Sequence, residues 1–241
     1  MSIARIPVYV PERLMPTLRR IKRAVVNVPE IAADLSGDRD IEWSFIAGHL
    51  PNGPGEALDF GCKDTCLSLI AARRGFSVLA LDLERPTSLW QHPNRRFIEG
   101  DLLKVDLQDV KFDLVINCSS VEHVGLVGRY SVSHARPDGD LEAMRRLREL
   151  MKPGAVQLLT IPLGRDAVFQ PWHRVYGEKR LPLLLQGYRL AHAEFWCKSQ
   201  DRTWTDCSRQ EAVSFEAAWD RQRKIYALGC FVLQRPVEPS A

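Results

Sequence analysis

What the chain lacks narrows its function first. No apolar run reaches the roughly 20 residues that a bilayer-crossing helix needs, and prolines stand near the N-terminus where a secretory leader would carry its apolar segment. The expected location is therefore cytoplasmic and reducing. There is no Gly-x-x-x-x-Gly-Lys loop and no Gly-x-Ser-x-Gly elbow, which removes the usual nucleotide hydrolase and serine esterase chemistries. Internal repeats and low-complexity segments are absent as well. The cysteines, at 62, 66, 118, 197, 207 and 230, fall mostly in or beside predicted strands rather than in a spaced loop framework, as reduced core residues do. Cys62 and Cys66 have neither the two-residue gap nor the second pair of a zinc site.

Charge of one sign is also scarce. A net charge of +3 with a pI near 8.6 is no nucleic-acid footprint unless it is clustered. The one cluster is N-terminal: over Met1–Pro29, Arg5, Arg13, Arg19, Arg20, Lys22 and Arg23 stand against the single acid Glu12. Leu14, Leu18, Ile21 and Val25 recur there at helical spacing, so residues 12–26 read as an amphipathic basic helix within an arm over residues 1–37. Two readings of the arm stay open. It attaches to the inner membrane face or to an acidic partner, or it packs on its own domain with its arginines in water. The remainder, residues 38–241, has the size of a single domain.

What is present centres on Glu56–Asp82, which reads as strand, tight turn, helix and strand. Leu58–Gly61 is a short apolar run ending in a turn, Leu67, Ile70, Ala71 and Arg74 follow at helical spacing, and Gly75 stops the helix. Ser77–Leu81 is the second strand, and Asp82 closes it where such units place a ribose-binding carboxylate. A dinucleotide fingerprint needs three glycines so that backbone can approach the pyrophosphate. Only Gly61 is in place, with Lys63 and Cys66 at the other two positions, which disfavours a nicotinamide oxidoreductase.

Around this unit the pattern supplies further strands at Arg95–Glu99, Phe112–Cys118, Val156–Ile161, Tyr188–Cys197 and Tyr226–Leu233. Helices are expected at Asp40–Leu50, Asp138–Met151 and Glu178–Leu185. Another starts at the Ser208–Glu211 capping box, with Ala212, Phe215 and Trp219 on one face. Lys152-Pro153-Gly154 ends the second of these, and Pro162–Gly177 reads as a long polar and aromatic loop.

Leu58-Asp59-Phe60-Gly61-Cys62, the Lys-Pro-Gly turn and the strand after it resemble the corresponding segments of class I S-adenosylmethionine-dependent methyltransferases, over roughly residues 56–161. The resemblance implies an α/β fold with a Rossmann-like, seven-stranded, mostly parallel sheet, helices on both faces and the last strand antiparallel. It implies S-adenosylmethionine as cofactor, held by Asp59, Gly61, Cys62, Asp82, Leu83, Asp101, Leu102, Cys118 and Ser119, with Asp101 accepting from the adenine amino group. It also makes Trp43 and Phe45 lid residues over the cofactor. Ser119–Gly128, Trp172–Tyr176 and Phe195–Lys198 are similar to a bacterial subgroup of small methyltransferases tied to cell-surface glycan or secondary-metabolite pathways. The family usually has glycine where this chain has Lys63. That departure leaves open a catalytically silent methyltransferase fold serving as a binding or scaffold protein.

An Asn-Pro-Pro-Tyr type motif is missing after the fourth strand, so by resemblance the acceptor is a hydroxyl of a small or glycan-like molecule rather than a base or amide nitrogen. A hydroxyl must lose its proton near the transition state, a task for a base whose pKa lies near working pH. His123 and His173 are the candidates, because each lies on a loop after a central strand, where open α/β sheets collect ligands. Glu122 orients a histidine, binds the acceptor or joins a metal site. His134 sits on a covering loop over Tyr130–Pro137, and Trp172, Tyr176, Trp196 and Trp204 are offered as a wall for a ring-shaped acceptor. Asp101, Asp138 and Glu122 are too scattered for a metal set, so none is assigned.

Overall fold

The computed structural model describes residues 37–63, 65–86, 91–107, 110–128, 130, 132, 134–198, 203–219 and 224–237. The basic arm and its expected helix over residues 12–26 lie outside these residues. Among the described residues no helix is long and apolar enough to cross a membrane.

The elements in order are α1 (Asp38–His49), β1 (Gly55–Phe60), α2 (Leu67–Arg73), β2 (Phe76–Asp82), β3 (Arg95–Glu99) and β4 (Phe112–Cys118). A 3-10 turn (Val121–His123), α3 (Gly139–Leu150), β5 (Met151–Leu163), β6 (Ala167–Phe169), β7 (His173–Val175) and α4 (Arg180–Leu184) follow. The chain closes with β8 (Arg189–Lys198), β9 (Trp204–Asp206), α5 (Arg209–Ser214), β10 (Ala218–Trp219), β11 (Lys224–Ile225) and β12 (Ala227–Gln234).

The main sheet has the order β3-β2-β1-β4-β5-β12-β8-β9. Its first five strands are parallel, whereas β12 runs antiparallel between β5 and β8. Parallel strands covered on both faces should be apolar at nearly every position. Along β2, Phe76 and Val78 join one buried cluster with Phe45 and Ile46 of α1 and Leu67 and Ala71 of α2. Leu79 and Leu81 join the opposite cluster, with Met144 and Leu147 of α3 and Val213 of α5. Full burial of each of the larger side chains among them is worth about 1.5–3 kcal/mol relative to exposure. The two clusters, not local propensity, hold the helices against the sheet.

Three local expectations are corrected. The sheet has eight strands rather than seven, because β9 adds an edge beside β8. The stretch 162–177 is not a plain loop: β6 and β7 pair antiparallel within it, Ala167 opposite Val175. The last helix has its capping box at Ser208 and Glu211 but ends at Ser214, so Phe215 and Trp219 are not on its face.

Candidate active site

The parallel strands end together at a cleft of about 770 Å³, lined by the turn after β1, the tip of β2, the loop after β3 and the segment after β4. The turn after β1 depends on Gly61, whose φ is +73°. A Cβ there would overlap the Ser120 side chain, so only glycine lets the two loops meet. The Gly61 N–H donates to Leu81 O over 2.8 Å, fixing the turn beside β2. Next to it Asp82 presents its carboxylate: Oδ2 accepts from Lys63 N–H over 2.8 Å, and Oδ1 accepts from Glu84 N–H over 3.1 Å. Lys63 does line the cleft, with its ammonium ion-paired to Glu84. Asp101, after β3, accepts from Leu103 N–H over 2.9 Å and lies 3.4 Å from Lys104 Nζ.

On the other side of β1, the end of β4 rests on a buried acid that the sequence reading passed over. Glu42 of α1 has no exposed surface. It accepts from Ser119 Oγ, from Thr160 Oγ1 over 2.9 Å and from Arg39 Nη1 over 2.6 Å. Burial pushes its carboxyl above the usual range, while Arg39 and the two hydroxyl bonds act against that rise. Ser119 itself has φ +44°, a left-handed conformation that a non-glycine residue holds only where its surroundings impose it. Arg39 faces the cleft at this end, 3.8 Å from Cys118 Sγ. Its only signal in the sequence was the three-residue spacing from Glu42 on one helix.

The two candidate histidines lie with ring centroids 6.5 Å apart, but only one lines the cleft. His123 lines the cleft, with Nδ1 against the carbonyl oxygen of Trp172 and Nε2 3.6 Å from Glu122 Oε1. A carbonyl only accepts, so Nδ1 carries the hydrogen in this contact, while Nε2 faces the Glu122 carboxyl. His173 is 4% exposed and lies instead among Trp219, Phe169 and Tyr226, with its ring centroid 4.2 Å from that of Trp219. Glu122, equally buried, stands behind His123 rather than in the cleft lining. The adjoining Arg174, 2% exposed, donates to the carbonyls of Glu122 (3.3 Å), Val124 (2.7 Å), Arg136 (3.1 Å) and Pro137 (3.2 Å). Its Nε lies 3.6 Å from Asp140, which Arg180 also contacts, Nε to Oδ2, over 2.9 Å. This ion network sets the two cleft loops at a fixed separation. Sequence reasoning missed it because nothing local marks an arginine as buried.

Of the residues assigned to the site, Gly61, Asp82, Leu83, Asp101, Leu102, Cys118, Ser119 and His123 do line the cleft, and so do His134 and Arg136 of the covering loop. Asp59, Cys62, Glu122 and His173 do not. Asp59 is 1% exposed, and burial pushes it up to about 7, with Arg95 and Ser68 acting the other way. Burial likewise pushes the Cys62 thiol up. Trp43 and Phe45 belong to the core under α1 and contribute nothing to the lining. None of the four residues offered as an aromatic wall lines the cleft: Tyr176 and Trp204 are core, Trp196 packs against it, and Trp172, 45% exposed at the β6–β7 turn, meets His123 through its carbonyl oxygen.

A family model described as "Caenorhabditis protein of unknown function, DUF268" matches residues 104–219, a span that holds His123, Asp140 and Arg174. No curated protein matches the chain. Among solved structures, the Burkholderia thailandensis 1,6-didemethyltoxoflavin-N1-methyltransferase with bound 1,6-didemethyltoxoflavin and S-adenosylhomocysteine is similar with a TM-score of 0.57 at 14% identity. That match covers 97% of this chain and 94% of that one. The N-methyltransferase NodS from Bradyrhizobium japonicum WM9, in complex with S-adenosylhomocysteine, gives 0.55 at 16% identity over 92% and 99% of the two chains. An S-adenosylmethionine-dependent methyltransferase from Mesorhizobium loti gives 0.53 at 17%, over 84% and 100%. The shared property at such identities is the fold, and the chain has the class I methyltransferase fold.

Proposed function

We propose that the chain is an S-adenosylmethionine-dependent methyltransferase acting on a hydroxyl of a small or glycan-like acceptor. The observation that carries this reading is the arrangement of charge in the two halves of the cleft: carboxylates in one, with Lys63 and Lys104 beside them, and Arg39 in the other. Asp82 and Asp101 stand at the ends of β2 and β3, and Arg39 stands at the end of β4. One strand, β1, separates β2 from β4. At about 4.8 Å per strand the two halves are roughly 10 Å apart, the span of a nucleoside joined to an amino acid. Asp82, fixed by two backbone N–H groups, keeps lone pairs for a ribose diol, and Arg39 suits a carboxylate. The turn has glycine only at 61, where Ser120 fills the space a Cβ would take, so it lacks the run of bare backbone that a pyrophosphate needs.

Bound there, the cofactor supplies an electrophilic methyl group on a sulfonium. The protein's part is alignment and proton removal, of which positioning alone is worth about 7–11 kcal/mol. His123, the histidine of the cleft lining, takes the hydroxyl proton. Trp172 O holds the ring through Nδ1–H, and the Glu122 carboxylate lies beside the charge that forms. The loop bearing His134 and Arg136 excludes water.

The test is calorimetric titration of the full chain with S-adenosylmethionine, S-adenosylhomocysteine and NAD. Micromolar binding of the first two and none of the third is expected; a folded chain that binds neither overturns the reading. In a screen of hydroxylated acceptors, His123→Gln should then lower kcat about 10²–10⁴-fold with S-adenosylhomocysteine affinity unchanged. The silent-scaffold alternative is favoured by one feature, Lys63 in the cleft. If it holds, Lys63→Gly gains cofactor affinity; an adapted pocket keeps or loses it.

A further inference from the structure

Away from the cleft, the end of α1 meets the edge of the sheet, and three groups with metal-ligand chemistry converge there. His49 is the last residue of α1, while His192 and Glu194 stand two apart on β8 and so project from one face. One ligand atom from each lies within 4.8 Å of the other two. The His192 Nε2 to Glu194 Oε1 distance is 3.2 Å, and the two imidazole rings stack at 4.9 Å.

The orientation of His49 is the telling feature. Its Nδ1 lies 3.0 Å from Phe45 O, one turn back on the same helix. A carbonyl only accepts, so Nδ1 carries the hydrogen and Nε2 is left with the lone pair. A backbone carbonyl on one nitrogen that fixes the tautomer and frees the other is the usual support of a metal-binding imidazole. The Phe45 ring, 4.3 Å from that of His49, holds it in place from the core side. Neither histidine is buried, so a hydrated ion can reach them and a water can complete the coordination.

We propose that His49, His192 and Glu194 form a surface site for zinc, separate from the cleft and independent of its assigned activity. Two imidazoles and one carboxylate suit a borderline divalent ion, whereas magnesium and calcium take oxygen ligands. Zinc bonds of about 2.0–2.1 Å require the ligand atoms to close to roughly 3.4 Å from one another, a movement within the reach of side-chain rotation. Bound zinc would fasten the C-terminal end of α1 to β8, and α1 is the helix that brings Arg39 to the cleft and Glu42 under the end of β4. His49 is 143 positions from His192, which is why no spacing motif announced the site.

The test uses zinc alone, titrated into the full-length reduced chain against a chromophoric chelator. The expected result is one bound equivalent, retained in a Cys197→Ser, Cys207→Ser double variant and weakened at least tenfold in both His49→Ala and His192→Ala. X-ray absorption of the zinc-loaded chain should show nitrogen and oxygen at about 2.0–2.1 Å with no sulfur near about 2.3 Å. His192 is exposed, so its replacement leaves the fold intact, as circular dichroism will show. Failure to bind zinc, unchanged affinity in His192→Ala, loss of binding in the cysteine variant, or sulfur in the absorption spectrum would each overturn the proposal.

Discussion

Replacing Gly61 by alanine tests the link between backbone conformation and the cleft most directly. At φ +73° an L-residue loses about 1–2 kcal/mol relative to glycine. The added methyl also overlaps Ser120 Oγ and Cβ, and forcing an extra carbon into a packed site costs about 1–3 kcal/mol. The expected loss is about 2–5 kcal/mol, a large part of the roughly 5–15 kcal/mol that holds a domain folded. Urea unfolding measures it, and S-adenosylhomocysteine titration follows the accompanying shift of Lys63 N–H away from Asp82. Ser120→Gly in the alanine background separates the two contributions. It removes the overlap, so about 1–3 kcal/mol should return, and leaves the conformational part, about 1–2 kcal/mol. A Gly61→Ala protein as stable as its parent, or a double variant no better than the single, refutes the reasoning.

Three more outcomes follow from the same geometry. Asp82→Ala should weaken S-adenosylhomocysteine binding about tenfold or more, since bonds to a charged group are worth roughly 1.5–3 kcal/mol, with circular dichroism unchanged; equal affinity removes the ribose assignment. Asp59, pushed up to about 7 by burial, stays protonated in the folded chain across a range in which the unfolded chain, with its ordinary value of 3.8, has lost the proton. The folded state therefore binds more protons between these values, and stability falls as pH rises through that window, by at most about 1.4 kcal/mol per pH unit. Asp59→Asn should remove that slope in urea unfolding at pH 5, 6, 7 and 8, and parallel slopes in the two proteins contradict the assignment. Asp140→Asn strips the partner from the buried Arg174 and should destabilise by about 3–5 kcal/mol; a thermal scan showing no shift in Tm would mean that the network is not what holds the cleft loops.

The readable part of this chain was the part whose signals are local. Leu58–Gly61, Ser77–Leu81 and Phe112–Cys118 stood out because a strand buried on both faces must be apolar throughout, and β1, β2 and β4 are such strands. Gly75 and the Ser208–Glu211 box announced a helix end and a helix start through conformational and hydrogen-bonding demands of single residues. Strands β6, β7 and β9, of three residues each, gave alternation too little length to register. The same limit hid the hairpin that carries Trp172 and turned Phe215 and Trp219 into helical residues on paper.

By itself the sequence determined the βαβ succession, the glycine at the first turn, the acid at the tip of β2 and the placement of His123 after β4, each of which follows from chemistry within a few positions. Tertiary structure alone decided which polar residues reach the cleft. His123 and His173 are alike in sequence context, yet one lines the cleft and the other is enclosed by Trp219, Phe169 and Tyr226. Asp59 stands one residue before the end of β1 and Asp82 ends β2, yet one is buried beside Ser68 and the other opens to the cleft. Glu42, Ser119 and Thr160 meet across 77 and 118 positions of chain. Burial and charge pairing depend on which distant segments approach, and that is settled by packing the helices onto both faces of one sheet.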